Sequence, residues 1–225
     1  ISHLHTGRNL GFSGGMNVGI REALARGADA VLLANSDVIV PPNCLTRLQQ
    51  ALETHPEAGI AGPVVLARSE PGRVASLGMS YQPRSGRMRH RAYGARFESS
   101  GFGRFGRFGR FGGFATAPPP GGAVDGVSGC LMLVKREVFE AIGLLDEDYF
   151  FSFEDLDFCL KARRAGFATV LAGSATVYHE GSRSMGPDTP RRLYFAARNH
   201  LLLARRSDPS AGRFSFLSRA ASIVM

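Results

Sequence analysis

The sequence predicts an α/β fold, a mostly parallel sheet with helices on both faces. Three observations carry that expectation. Two apolar runs, Ala30-Val31-Leu32-Leu33-Ala34 and Gly59 to Val65, are too short for helices and lack polar alternation, as strands covered on both faces do. Stretches with apolar residues at helical spacing lie between and around them. Strand–helix–strand alternation at this spacing is how parallel sheets are connected.

The elements follow in order. Ser13 is placed to cap a first helix that carries Met16, Ile20, Ala23 and Leu24 on one face and stops at Gly27. The 30–34 strand runs into Asn35-Ser36-Asp37. Pro41 and Pro42 open a second helix, with Leu45, Leu48 and Leu52 directed inward, that ends before Pro56. Val74 to Tyr93 reads as a hairpin around Ser85-Gly86. A Phe-Gly-Arg repeat from Phe102 to Gly112 and the stretch Pro118 to Gly122 cannot build a packed core and read as a mobile insertion.

Order resumes with a strand over Val127 to Val134 and a short helix over Arg136 to Ile142, closed by Gly143. Glu154 to Ala165 is helical by the recurrence of Leu156, Cys159, Leu160 and Arg163, and Gly166 ends it. Phe167 to Leu171 and Thr176 to His179 read as two strands, and Pro190 to Arg205 as a last helix. Phe214 to Met225 is an amphipathic tail interrupted by Arg219. The chain is therefore expected to divide into residues 1–95, an insertion over 96–122, a second half over 123–206 and a tail over 207–225.

Composition narrows the classes of partner. The 225 residues are 44% hydrophobic and 20% charged, an ordinary globular balance that excludes disorder over most of the length. Lys and Arg exceed Asp and Glu to give a net charge of +8, which favours anionic partners such as nucleotides, nucleic acid or an acidic membrane face. Cys44, Cys130 and Cys159 are too few and too far apart for a disulfide framework or a Cys-based zinc site, which points to a reducing compartment. No apolar run reaches the length of a membrane-spanning helix. Ile1 to Arg8 do not read as a signal peptide, and without a starting Met the natural beginning is expected upstream.

Four segments carry chemistry. Asn35-Ser36-Asp37 stands at the end of a strand, where open α/β sheets bind ligands, and Asp37 offers a hard oxygen suited to Mg²⁺ or Mn²⁺. The same residue types also favour a plain turn. In Tyr149 to Asp157 three acids follow an aromatic cluster. Desolvation there raises a carboxylate's pKa and makes it a better base, whereas the helix N-terminus lowers it, so the net direction stays open. A helix cap with Glu154 and Asp157 solvated is the alternative. His179 ends a strand, a place that suits a ligand or a merely structural imidazole. The other five histidines show no zinc-ligand spacing. Asn9 to Asn17 is a glycine-bearing loop entering a helix, where backbone amides can approach a nucleotide, but it lacks a P-loop ending and a dinucleotide fingerprint.

Taken in order, the segments Asn-Leu-Gly-Phe…Asn-Val-Gly-Ile, Leu-Leu-Ala-Asn-Ser-Asp, Ser-Gly-Cys-Leu-Met-Leu, Leu-Asp-Glu-Asp-Tyr-Phe-Phe-Ser-Phe-Glu-Asp-Leu-Asp, His-Glu-Gly-Ser and Ala-Arg-Asn-His resemble the family 2 glycosyltransferases. The likeness is nearest to their rhamnosyltransferase-like branch and covers most of Asn9 to Arg205 outside the insertion. It implies a GT-A fold, a Rossmann-like α/β domain that uses a nucleotide-sugar donor and Mg²⁺ or Mn²⁺. It implies that Asn35-Ser36-Asp37 replaces an Asp-x-Asp motif, with Asp37 and His179 on the metal and Asp155 of the pair Glu154-Asp155 as general base. Asn9, Gly11, Asn17, Asn35 and Asp37 would then lie near the donor, and Arg198 would face the diphosphate or the acceptor.

Members of the family carry a first strand and an Asp-Asn-x-Ser-type turn ahead of this point. The sheet is thus expected to be incomplete at the N-terminus, with donor affinity poor or absent. The resulting expectation is an inverting transferase that moves a sugar, rhamnose by the branch, to a glycan or lipid-linked acceptor at the cytoplasmic face of a membrane. The rivals are a non-catalytic remnant and a nucleic-acid-binding protein, in which Arg of the repeat meets phosphate and Phe stacks on bases.

Overall fold

The computed structural model describes residues 2–97, 122–179 and 189–207. The Phe-Gly-Arg repeat, nearly all of the 96–122 insertion and the 214–225 tail lie outside the described residues. The elements run α1 (Gly11–Ala25), β1 (Ala30–Ala34), α2 (Cys44–Thr54), β2 (Ala58–Ala67), β3 (Val74–Ser76), β4 (Met79–Gln82), β5 (Arg87–His90), β6 (Ala123–Val124), β7 (Leu131–Lys135), α3 (Arg136–Ile142), α4 (Glu154–Arg164), β8 (Ala168–His179) and α5 (Pro190–Arg206).

The main sheet has the order β1-β7-β2-β8-β6, with β3 joined to the far half of β2. Both halves of the chain contribute strands to it. The α/β class and the helices on both faces hold, but the pairing directions differ from a mostly parallel sheet. Among the described residues only β2 and β8 pair in parallel; β7 runs antiparallel between β1 and β2, and β3 and β6 also pair antiparallel. Thus β1, β2 and β8 share one direction. The crossover through α2 makes β1 and β2 codirectional, but the strand inserted between them comes from much later in the chain. Its direction is fixed by long-range pairing that local periodicity does not encode.

One face of the sheet is covered by α1, α3 and α4, whose Ile20, Phe139 and Phe158 pack with Val31, Leu33, Ile60 and Met132. The other is covered by α2, through Cys44, Leu48 and Leu52 against Ala61, Leu131, Leu133 and Val170. In β7, Leu131 and Leu133 point to α2 while Met132 and Val134 point the other way, which is why that segment shows no polar alternation. A third cluster joins Met79 and Tyr81 of β4, Tyr149, Phe153, Leu156 and Leu160 at α4, and Leu203 of α5.

Several local expectations are corrected. The first helix starts at Gly11 without a side-chain cap, and Ser13 lies buried inside it, donating to the Tyr149 carbonyl at 3.3 Å. β1 is an edge strand that alternates, with Leu32 36% exposed. Helix α2 begins at Cys44 and turns Cys44, Leu48 and Leu52 inward, so Leu45, one step round the helix, is exposed. The two expected C-terminal strands are one strand, β8; its register along β2 jumps from Ala172 to Thr176 between Pro63 and Val64, absorbing residues 173–175. The hairpin is β4–β5 alone, closed at Gly86 (φ +69°), while β3 pairs with β2. Helices α3 and α4 fall where the spacing placed them.

Candidate active site

The site starts at the carboxyl end of β1. Asn35 donates its N–H to the Cys130 carbonyl at 2.9 Å, which ties the Asn35-Ser36-Asp37 turn to the segment entering β7. Ile39 and Tyr178 then exchange backbone hydrogen bonds of 2.9 and 3.1 Å, an antiparallel bridge that returns the chain beside the end of β8. That bridge sets Asp37 Oδ1 3.3 Å from His179 Nε2, with the two side chains 33% and 15% exposed. Asn35 Oδ1, two residues before Asp37, is buried with no hydrogen-bond partner among the described residues.

These residues fit a divalent cation. Ligands about 2.1 Å from a metal in neighbouring octahedral positions are about 3 Å apart, close to the Asp37–His179 separation. The orphaned Asn35 oxygen is a further hard donor of the right kind. Among the described residues no group of three His, Cys, Asp or Glu gathers. A cation here would therefore complete its shell with water and substrate phosphate, as Mg²⁺ ordinarily does.

On the other side of the 128–130 turn lies the carboxylate pair. Asp155 Oδ2 accepts the Gly129 N–H at 2.8 Å and Oδ1 accepts the Leu156 N–H at 2.8 Å. A Cβ on Gly129 would sit 3.2 Å from Asp155 Cβ, so this approach suits glycine. Glu154 is buried, and its Oε2 has no hydrogen-bond partner among the described residues. Ser152 (φ +69°) and Phe153 (φ +73°), which lead into α4, are both left-handed. Such backbone costs non-glycine residues about 1–2 kcal/mol each and persists only where surroundings impose it.

Electrostatics separate the two acids. Burial, followed by the neighbouring Asp155 charge, pushes Glu154 well above the ordinary carboxylate range. Burial also raises Asp155, but its backbone hydrogen bonds from Gly129 and Leu156 and the proximity of His90 oppose the shift. Burial pushes the Cys130 thiol up to about 11, and both Asp155 and Asp37 add to that rise. The turn is bonded on both sides, since the Gly129 N–H is taken by Asp155 and the Cys130 carbonyl accepts the Asn35 N–H.

The remaining expected residues sort into two groups. Asn9 Oδ1 accepts the Gly11 N–H at 2.9 Å, and the Phe12 N–H donates to the Phe150 carbonyl at 3.0 Å, so the loop entering α1 packs on the turn before α4. Gly11 (φ +73°) has no room for a side chain, since a Cβ would meet the Phe150 oxygen at 2.5 Å. Asn17, by contrast, is buried, with its amide committed to Leu145 and Glu147 at 2.8–3.1 Å. Arg198 donates to the Asp148 carbonyl and to Asn199 Oδ1, both at 2.8 Å. The structure gives these two residues protein partners.

Sequence reasoning passed over Gly129, His90, Asn199 and the left-handed pair Ser152-Phe153. A glycine before a buried strand is a weak signal for Gly129. Nothing in the residue types of Ser152 and Phe153 foretells positive φ.

A mixed α/β sheet with helices on both faces, and the Asn35-Ser36-Asp37 turn at the carboxyl end of β1, is the architecture of a GT-A α/β protein. The chain belongs to the family described as Glycosyltransferase like family 2, whose model matches residues 1–201. It is 30% identical over 199 residues to N-acetylglucosaminyl-diphospho-decaprenol L-rhamnosyltransferase of Mycobacterium tuberculosis, covering 84% of this chain and 62% of the relative. It is 24% identical to the dTDP-rhamnosyl transferase RfbF of Shigella flexneri, over 89% of this chain and 62% of that protein. The chain therefore spans about three fifths of the length of these relatives. Its fold is similar to that of GalNAc-T7 crystallised with UDP, GalNAc and Mn²⁺, with a TM-score of 0.54, 12% identity, and coverage of 98% of this chain and 45% of that one.

Proposed function

We propose that the protein transfers a sugar from a nucleotide-diphosphate donor to a hydroxyl of a glycan or lipid-linked acceptor, with inversion at the anomeric carbon. The carrying observation is that the 128–130 turn is bonded on both sides: Asp155 accepts the Gly129 N–H, and the Cys130 carbonyl accepts the N–H of Asn35, two residues before the Asp37 that pairs with His179. In this reading one strand of backbone ties a group able to take a proton to a pair able to hold a diphosphate through a cation. Rhamnose as the sugar and a lipid-linked acceptor are the reading that the names of the two relatives support.

In this reading Asp155 accepts the proton of the acceptor hydroxyl as its oxygen attacks the anomeric carbon. The bond from that carbon to the donor phosphate oxygen breaks in the same displacement, and the nucleoside diphosphate leaves. Glu154, with its strongly raised pKa, stays protonated and leaves the single negative charge on Asp155, where two N–H groups receive it. Asp37 and His179, with the buried Asn35 oxygen as a further donor, would hold Mg²⁺ or Mn²⁺, which would supply positive charge to the departing diphosphate. Asn9 and Gly11 line the donor side at the entry of α1.

Contact with a membrane face belongs to the same proposal. It is supported by α5, which leaves Leu193 and Tyr194 exposed beside Arg191. No helix among the described residues is long and apolar enough to cross a membrane. Incubation with Mn²⁺ and dTDP-rhamnose or other nucleotide sugars, reading the anomeric configuration of the product by NMR, tests the proposal. Transfer with inversion is expected, and a product of retained configuration would overturn the single displacement.

A further inference from the structure

Helix α5 reaches back to the turn in front of the carboxylate pair through one side chain. Asn199 is fully buried. Both protons of its amide are spent on consecutive backbone carbonyls, Phe151 at 2.6 Å and Ser152 at 3.0 Å. Its own oxygen is held by the Arg198 guanidinium at 2.8 Å, which also donates to the Asp148 carbonyl. The neighbouring His200 ring stacks on Phe153, with centroids 4.9 Å apart, and its Nε2 lies 2.7 Å from the Gly86 carbonyl of the β4–β5 turn. The clamp thus closes on the segment whose backbone is left-handed at Ser152 and Phe153.

We infer that Asn199 is a positioning residue for the Glu154–Asp155 pair: it holds the left-handed turn that delivers Asp155 to the Gly129 N–H. The inference rests on the catalytic reading of that pair. Two adjacent residues with positive φ relax toward ordinary backbone unless something fixes their carbonyls. A side-chain amide that donates twice does so; an aspartate of the same shape has no protons to give and faces the same carbonyls with negative charge. Relaxation of the turn rotates the first residues of α4, and the carboxylate of Asp155 then loses its place against Gly129.

The test measures amide hydrogen exchange by NMR on the full chain, which reads positioning without requiring transfer. In Asn199→Ala, the Gly129 and Leu156 amides, both bound to Asp155, should exchange at least about tenfold faster, while amides of β2 and β8 stay unchanged. Glycine accepts positive φ freely, so Ser152→Gly should remove much of the need for the clamp and shrink the effect of Asn199→Ala to about threefold or less. A purely packing role for Asn199 predicts the same loss in both backgrounds, and that result, or unchanged exchange at Gly129 and Leu156, overturns the inference. Should Asn199→Ala fail to fold, recovery of a folded protein in the Ser152→Gly background supports it and failure of that double variant contradicts it. Assayed in parallel, transfer in Asn199→Asp should lose kcat with the donor KM unchanged. A wild-type chain that transfers nothing would sink the catalytic reading while leaving the exchange result to decide the clamp.

Discussion

Asp155 is met by two backbone N–H groups, from Gly129 and Leu156, whereas Glu154, one residue earlier, is buried with an oxygen that has no hydrogen-bond partner among the described residues. Their chemistry follows from that difference. General-base assistance is typically worth about 10²–10⁴-fold, so Asp155→Asn should lower turnover on that scale while its circular dichroism stays that of the native fold. In the proposed transfer Asp155 accepts a proton only when ionised and its pKa is raised, so the transfer rate should climb with pH through a limb above the ordinary aspartate range. Glu154 has a stability consequence of defined sign. Its folded-state pKa lies above the unfolded value, so its favourable contribution is complete below the unfolded pKa and is lost as pH rises through the folded one. Glu154→Gln should therefore gain stability relative to wild type as pH rises, read by urea unfolding across pH; parallel curves would contradict the shift. At this scale the positions of Asp37, Asp155 and His179 near element ends were legible, while their roles came from the family resemblance and belong to the proposal. The direction of the Asp155 shift was not, because it is set by burial working against the N–H of Gly129, 26 residues away in sequence.

Helix α2 shows how far spacing alone carries an element. The sequence marks three leucines as inward, but the helix buries Cys44, Leu48 and Leu52 and leaves Leu45 exposed. Leu48→Ala should cost about 2–5 kcal/mol, whereas Leu45→Ala should stay within about 0.5 kcal/mol; thermal or urea unfolding separates them. Gly11 is a second element-level constraint, since it opens α1 with positive φ against the Phe150 carbonyl. Gly11→Ala should destabilise the fold by more than about 1 kcal/mol and loosen the turn before α4. The ends of α3 and α4 were legible because Gly143 and Gly166 stop them with left-handed backbone. The three-residue slip that makes β8 one strand was not, because it exists only in register with β2.

Across the whole molecule, the alternation of strands and helices announced an α/β sheet, and β1, β2 and β8 do run together. The antiparallel insertion of β7 escaped it, and with it the 128–130 turn, which enters β7 and is bonded to both Asp155 and Asn35 of the proposed site. The account stands on that junction. It is tested most directly by adding Mn²⁺ with a nucleoside diphosphate and mapping which backbone amide signals the paramagnetic ion broadens. The account predicts broadening centred on Asn35 to Asp37, Cys130 and His179, reaching Gly129 and Asp155, and abolished by Asp37→Ala. Broadening centred instead on the exposed acids at the opposite end of β7, such as Glu53 and Glu137, or surviving unchanged in Asp37→Ala, would contradict it.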